Sequence, residues 1–170
     1  MNYLVPFVGY LLMVLVYVYY LIKNMSSENM GMIFGNVLVL VGYALIAYKY
    51  YSKSSEKHEK EKDEESEKEH KPKYKINWGH LVLFIYFGLS AVLPITQFHL
   101  YDYLAIIGNM LLIVEDQGMI SKIGYVATIL FYFFSANHYM HEIEHHELKV
   151  KLLGALIIAI YYVIHLISKF

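Results

Sequence analysis

Residues 129–160 read ILFYFFSANHYMHEIEHHELKVKLLGALIIAI, two apolar runs on either side of a segment rich in histidine and glutamate. The polar segment at 137–147 holds four of the nine histidines of the chain. Apolar runs of this kind suit lipid when they are helical, because a helix satisfies its own backbone hydrogen bonds. The pattern therefore predicts two membrane helices with the histidine segment at a water-facing boundary between them.

The composition of the whole chain indicates the same environment. Of its 170 residues 58% are apolar, which is well above the share in soluble domains. Eight of the fourteen lysines and eight of the fifteen acidic residues lie within residues 53–75, so the rest of the chain is nearly uncharged. A soluble globule needs charge over its whole surface. The fold class we predict is therefore all-α, a polytopic transmembrane helical bundle.

The composition excludes cysteine chemistry and gives no support for nucleic-acid binding. The chain contains no cysteine, so it has neither a disulfide framework nor thiol chemistry. Its net charge of −1 gives no reason to expect a nucleic acid as partner. The partner that the composition does predict is the lipid bilayer.

Several apolar segments approach the length of about 20 residues that crosses a hydrocarbon core. We expect membrane spans at about residues 4–22, 31–48, 78–98, 103–114, 123–136 and 152–167. Pro94 should kink the third of them. The segment at 103–114 is only about 18 Å long as a helix, so it either crosses with help from its flanks or re-enters on the same side. The sequence thus predicts five or six spans.

The predicted spans define three regions. Residues 1–51 form a transmembrane hairpin, residues 52–77 form a charged Lys/Glu linker, and residues 78–170 form the remaining bundle with the histidine cluster at 138–146. Lysine and glutamate recur four residues apart in the linker, which favours a solvated helix. A disordered polyampholyte is the equal alternative.

Lysine placement predicts the orientation, because lysine-rich segments stay in the cytoplasm. If all six segments cross, the linker at 52–77 and both termini are cytoplasmic and the histidine segment faces outward. If 103–114 does not cross, the last two spans reverse and the histidines face the cytoplasm.

Residues 141–145 read H-E-x-x-H, the spacing that places two imidazoles on one helix face about 40° apart. Such a pair binds Zn²⁺ or a similar transition metal while the glutamate activates a metal-bound water. The candidate ligands are His138, His141, His145 and His146, with Glu142 as the catalytic base if the protein is a metallohydrolase. The alternative is a polar, solvated helix end.

The segment at 137–147 also resembles one histidine box of the membrane di-iron hydroxylases and desaturases. The resemblance covers eleven residues, and those enzymes use several boxes where this chain has one.

A third hypothesis is haem. His80 and His165 lie at one end of the predicted bundle, and His99 lies at the other with His138 or His141. Pairs of histidines on facing helices can hold haem iron axially, so a bis-histidine electron carrier is an alternative.

The interpretation we favour from sequence alone is a non-catalytic membrane subunit, with its status as an enzyme left open. Gly31 and Gly35 form a G-x-x-x-G pair that lets another helix approach closely, either within the chain, which we favour, or in a partner subunit. No acid or lysine is expected at mid-membrane depth, which argues against a proton-coupled pump. Tyr17, Tyr19 and Tyr20 are expected to mark a membrane interface.

Overall fold

A computed structural model describes residues 3–26, 29–60, 75–93, 95, 97–114, 118–141 and 146–168, with the side chains of 56–60 and 146–148 excepted. This part of the chain is helical apart from short connections and one isolated β-bridge between Ile76 and Val114. The helices in chain order are α1 (Leu4–Asn24), α2 (Met30–Lys60), α3 (Trp78–Val92), α4 (Asp102–Leu112), α5 (Met119–His141) and α6 (His146–Ile167). The predicted all-helical class is confirmed.

Four of these helices are long and apolar enough to cross a membrane. The candidate spans are Leu4–Asn24, Met30–Ser55, Met119–His141 and Lys149–Ile167. Helices α3 and α4 are shorter, and the 11 residues of α4 reach only about 16 Å, roughly half the thickness of a hydrocarbon core. The helices therefore fit a multi-pass membrane protein, with four spans by length rather than the five or six expected.

Helix α3 differs from the expected third span in where it ends. A kinked span over 78–98 was expected, but α3 ends at Val92 and Leu93 has an extended backbone. Leu93 precedes Pro94, and the proline ring sterically disfavours a helical conformation in the residue before it. The helix consequently ends where a kink was predicted.

The six helices form a closed ring. Each helix packs against its neighbours in the chain, and α6 also packs against α1. The starts of α1, α3 and α5 lie at the same end of the ring as the ends of α2, α4 and α6, so adjacent helices are antiparallel. The ring thus consists of three helical hairpins, α1–α2, α3–α4 and α5–α6.

Glycines allow these hairpins to approach one another closely. A Cβ added at Gly79 would lie 2.9 Å from the carbonyl oxygen of Gly42, and one added at Gly154 would lie 3.2 Å from that of Gly9. The glycine pairs at the three junctions are Gly9–Gly154 between α1 and α6, Gly42–Gly79 between α2 and α3, and Gly108–Gly124 between α4 and α5. Small residues at such contacts are typical of helices packed in membranes.

Gly35 also packs within the chain. A Cβ at Gly35 would collide with the side chain of Ile95 and would lie 3.4 Å from Tyr86. At Gly31 the described atom nearest to an added Cβ is Oδ1 of Asn29, at 3.2 Å. The intramolecular interpretation of the G-x-x-x-G pair is therefore supported at Gly35.

The outer surface of the ring is apolar, and polar residues are buried inside it among apolar and tyrosine side chains. Phe133, Ile160 and Leu15 are 60%, 56% and 55% exposed on the outer surface. Asn36 and Thr128 are among the polar residues buried in the interior. The apolar outer surface suits a protein that contacts lipid.

The described start of the linker is helical. Helix α2 continues without a break to Lys60, past the expected boundary between residues 51 and 52. This favours the helical alternative for residues 52–60, while residues 61–74 lie outside the part of the chain that is described.

Candidate functional site

A polar cavity lies at each end of the helix ring. The terminus-side cavity, of about 220 Å³, is lined by Tyr3, which precedes the first helix, and by His165 from the last helix. The distal cavity, of about 400 Å³, lies at the opposite end and is lined by residues such as His99 and Lys151. Buried tyrosine side chains fill the space between the two cavities.

The histidines of the terminus-side cavity are held by specific neighbours. Nδ1 of His80 lies 2.7 Å from Oδ1 of Asn109, so the ring donates this hydrogen bond and leaves Nε2 as an acceptor. Asn109 is fixed in turn because its amide nitrogen donates to the carbonyl oxygen of Ala105 at 2.8 Å. The ring of His165 lies between Tyr125 and Tyr161, at centroid distances of 4.9 and 5.8 Å.

Two histidines meet at the distal cavity. The ring centroids of His99 and His138 are 4.6 Å apart, and His99 stacks on Tyr101 at 5.1 Å. Oδ2 of Asp102 accepts a hydrogen bond of 2.7 Å from the backbone N–H of His99 and lies 3.7 Å from Nδ1 of the same residue. Burial raises the pKa of the Asp102 carboxyl group, and the hydrogen bond from the backbone of His99 opposes this rise.

Lys151 lines the same cavity, and its ammonium group lies in an aromatic cage of three tyrosine rings. Its Nζ atom lies 5.3, 5.6 and 4.6 Å from the ring centroids of Tyr17, Tyr20 and Tyr139. A cation is stabilised over aromatic faces by the ring quadrupoles. The side chain of Tyr17, one of the tyrosines expected to mark a membrane interface, is buried within the ring.

A chain of tyrosine hydroxyls joins the two cavities. The hydroxyl of Tyr162 lies 2.7 Å from that of Tyr10 and 3.5 Å from that of Tyr50. The hydroxyl of Tyr132 hydrogen-bonds to those of Tyr10 and Tyr43. Because Tyr50 and Tyr162 line the terminus-side cavity and Tyr43 lines the distal one, the chain extends from one cavity to the other.

The structure places only part of the predicted metal site. His141 is exposed at the end of α5, while Glu142 and His145 lie outside the described residues, as does the side chain of His146. Within the described ranges, no group of three or more His, Asp or Glu side chains is arranged to hold a metal ion. Metal binding is therefore not supported by the described residues, and the H-E-x-x-H site stays a prediction.

The predicted haem ligands lie in pairs at the two cavities. His80 and His165 line the terminus-side cavity, and His99 and His138 line the distal one. The rings of His99 and His138 are in direct contact, which leaves no space for a flat porphyrin between them. This pair does not fit an axial haem site.

The chain of tyrosine hydroxyls was not predicted from the sequence, although two sequence patterns indicate it. Tyrosines recur every seven residues, which is nearly two helical turns and keeps them on one face. These series are Tyr3, Tyr10 and Tyr17 in and just before α1, Tyr43 and Tyr50 in α2, and Tyr125, Tyr132 and Tyr139 in α5. Glycine also directly precedes an inward polar residue in Gly9-Tyr10, Gly42-Tyr43, Gly79-His80, Gly108-Asn109 and Gly124-Tyr125.

Comparison with known proteins adds no relative. No protein-family model, no curated protein and no solved structure matches this chain. The class of the protein is therefore defined by its own fold, a helical ring with four helices long and apolar enough to cross a membrane.

Proposed function

We propose that the protein is a non-catalytic integral membrane protein that binds a small anion in its distal cavity. The observation that carries this proposal is a cavity of about 400 Å³ whose lining includes Lys23 and Lys151. Small-molecule sites typically occupy about 300–1,000 Å³, a range that the distal cavity reaches and the terminus-side cavity, at about 220 Å³, does not.

The charge of the distal cavity favours an anion. Among its described lining residues, two lysines stand against a single carboxylate, that of Asp102. That carboxylate already accepts a hydrogen bond from the backbone of His99. The amides of Asn36 and Gln97 add uncharged hydrogen-bond donors to the wall. Such groups in a partly dehydrated cavity attract an anion more strongly than they do in water.

The orientation we propose follows the lysine-rich linker. With the linker at 52–77 and both termini in the cytoplasm, the distal cavity faces the outer side of the membrane. This assignment rests on the distribution of lysine along the chain.

Titration calorimetry with sulfate in detergent micelles tests the anion site. We expect sulfate to bind the wild-type protein, and we expect Lys151→Met to weaken binding at least about tenfold, a loss of about 1.4 kcal/mol. Lys149→Met is the matched control, because Lys149 is exposed in the same helix and does not line the cavity. The proposal is wrong if the wild type gives no binding heat, or if both variants bind as the wild type does.

Analysis of one purified preparation distinguishes the zinc alternative from the haem alternative. If residues 138–146 bind zinc, elemental analysis finds about one metal per chain, and changing His141 and His145 to alanine removes it. Loss of a hydrolytic activity in Glu142→Gln would make the protein a metallohydrolase. A Soret band would identify haem.

Association with other membrane subunits stays a prediction. Its sequence argument now depends on Gly31, because Gly35 packs against Ile95 and Tyr86 of its own chain.

A further inference from the structure

The tyrosine chain crosses the middle of the helix ring. Its five hydroxyls follow the order Tyr50, Tyr162, Tyr10, Tyr132 and Tyr43. The first two links measure 3.5 and 2.7 Å, and Tyr132 lies within hydrogen-bonding reach of Tyr10 and Tyr43. Their side chains are buried, and Tyr10 and Tyr162 are fully shielded from solvent. A hydroxyl both donates and accepts a hydrogen bond, so a row of them has the connectivity that proton transfer requires.

Histidine side chains lie near both ends of this row of tyrosine hydroxyls. At the terminus-side cavity, Tyr161 stacks on His165 at 5.8 Å and hydrogen-bonds to Tyr50. At the distal cavity, His99 and His138 line the same space as Tyr43. Imidazole is the side chain that takes up and releases protons near neutral pH.

We propose that this hydroxyl chain conducts protons between the two cavities, which makes the protein a slow, passive proton conductor. A proton that enters at one end is accepted by a lone pair of the first hydroxyl, which passes its own proton to the next hydroxyl. The shift repeats until a proton leaves at the other end, and the hydroxyls then rotate back. No bond to carbon changes, and nothing is oxidised or reduced.

A passive relay agrees with the expectation from sequence that no acid or lysine lies at mid-membrane depth, which argues against a pump. The relay goes beyond the proposed anion site and does not depend on it. Tyr10 and Tyr132 lie between the cavities and line neither of them. The competing explanation is that the hydroxyls only join helices, since a buried hydroxyl is costly unless it is hydrogen-bonded.

Proton flux into liposomes separates these explanations. The full chain is reconstituted in vesicles containing a pH-sensitive dye, and a potassium gradient with valinomycin supplies the driving force. We expect the wild type to change the internal pH faster than empty vesicles do. Tyr10→Phe and Tyr132→Phe each keep the ring and remove one link. They should slow the flux at least about tenfold, the effect of raising the barrier by little more than one lost hydrogen bond.

Tyr48→Phe is the matched control and should conduct as the wild type does, because Tyr48 is 69% exposed on the outer surface of α2. Thermal unfolding of each variant verifies that the ring has formed. Wild-type vesicles that acidify no faster than empty ones overturn the proposal, and so do folded Tyr10→Phe and Tyr132→Phe variants with wild-type flux. Neither result bears on the sulfate titration, so failure here is distinguishable from failure of the anion site.

Discussion

The two cavities are lined by the same kinds of residue, but they differ in how closely the surrounding elements pack. Each contains lysines, histidines and tyrosines, but the terminus-side cavity has about 220 Å³ and the distal one about 400 Å³. In the first, His80 is fixed by Asn109 and α3 is in close contact with α2 at Gly79. In the second, two imidazoles and a caged lysine border a wider space. Helix packing, rather than composition, thus decides which end has room for a ligand.

The most decisive way to break this comparison is to show that both cavities open on the same side of the membrane. The chain has no cysteine, so single cysteines can be introduced without background. Gln97→Cys lies in the distal cavity, and Val114→Cys, at a position that is 41% exposed, lies in the terminus-side cavity. We expect an impermeant maleimide to label Gln97→Cys in intact cells and Val114→Cys only after permeabilisation. Labelling of both in intact cells would contradict the antiparallel ring, and the reverse pattern would invert only the proposed orientation.

The next largest effect concerns the close contact between α2 and α3 at Gly79. A methyl group at Gly79 would meet the backbone of Gly42 and Ile46 at 2.9 Å, so Gly79→Ala should lower the free energy of unfolding by about 1–3 kcal/mol. Gly88→Ala is the control in the same helix, because no described atom lies within 4 Å of an added Cβ. That change should be neutral, or stabilising by up to about 1 kcal/mol through helix propensity. Thermal unfolding in detergent measures both, and equal melting temperatures would disprove a tight junction at Gly79.

A smaller effect is expected from the charge of Asp102 in the distal cavity. Because burial raises the pKa of Asp102, its carboxylate is neutralised at a higher pH than a free one as the solution is acidified. Sulfate, which keeps its charge, should therefore bind more tightly as the pH is lowered from 8 toward the raised pKa of Asp102. We expect about a fivefold change once the carboxylate is neutral, equivalent to about 1 kcal/mol of added attraction. Calorimetry over a descending series of pH values measures it.

Asp102→Asn is the control for the pH effect, because the amide oxygen can still accept the hydrogen bond from the backbone of His99. This variant should bind sulfate more tightly at pH 8 and respond less to pH. An unchanged pH response would exclude Asp102 as its source.

Much of the helical framework was predictable, because long apolar runs have few conformations available in lipid. The expected spans at 4–22 and 152–167 fall within α1 and α6. The expected short segment at 103–114 agrees closely with α4. The end of α3 was not predictable from hydropathy, since apolar composition continues beyond its last helical residue. A proline at position 94 disfavours a helical backbone at Leu93, which is extended.

The inward side of each helix was harder to predict than the helix itself. Lipid is as apolar as a leucine-rich core, so hydropathy does not distinguish a lipid-facing side from a buried one. Tyrosine suits both an interface and a buried hydrogen bond. Tyr19 is exposed and lies 5.8 Å from the ammonium group of Lys23, whereas Tyr17, two residues earlier, is buried. The seven-residue spacing of tyrosines carries the missing information.

The closure of the ring by α1 and α6 has a consequence for biogenesis. Tyr10 hydrogen-bonds to Tyr162, which lies 152 positions later in the sequence. The two ends of the polypeptide must therefore meet before the row of tyrosine hydroxyls is complete. During synthesis, the first helix enters the bilayer with a hydroxyl that cannot yet pair with the last one. A product truncated before α5 would lack both Tyr132 and Tyr162, and it would leave the Tyr10 hydroxyl without these partners in lipid, where an unpaired polar group is costly.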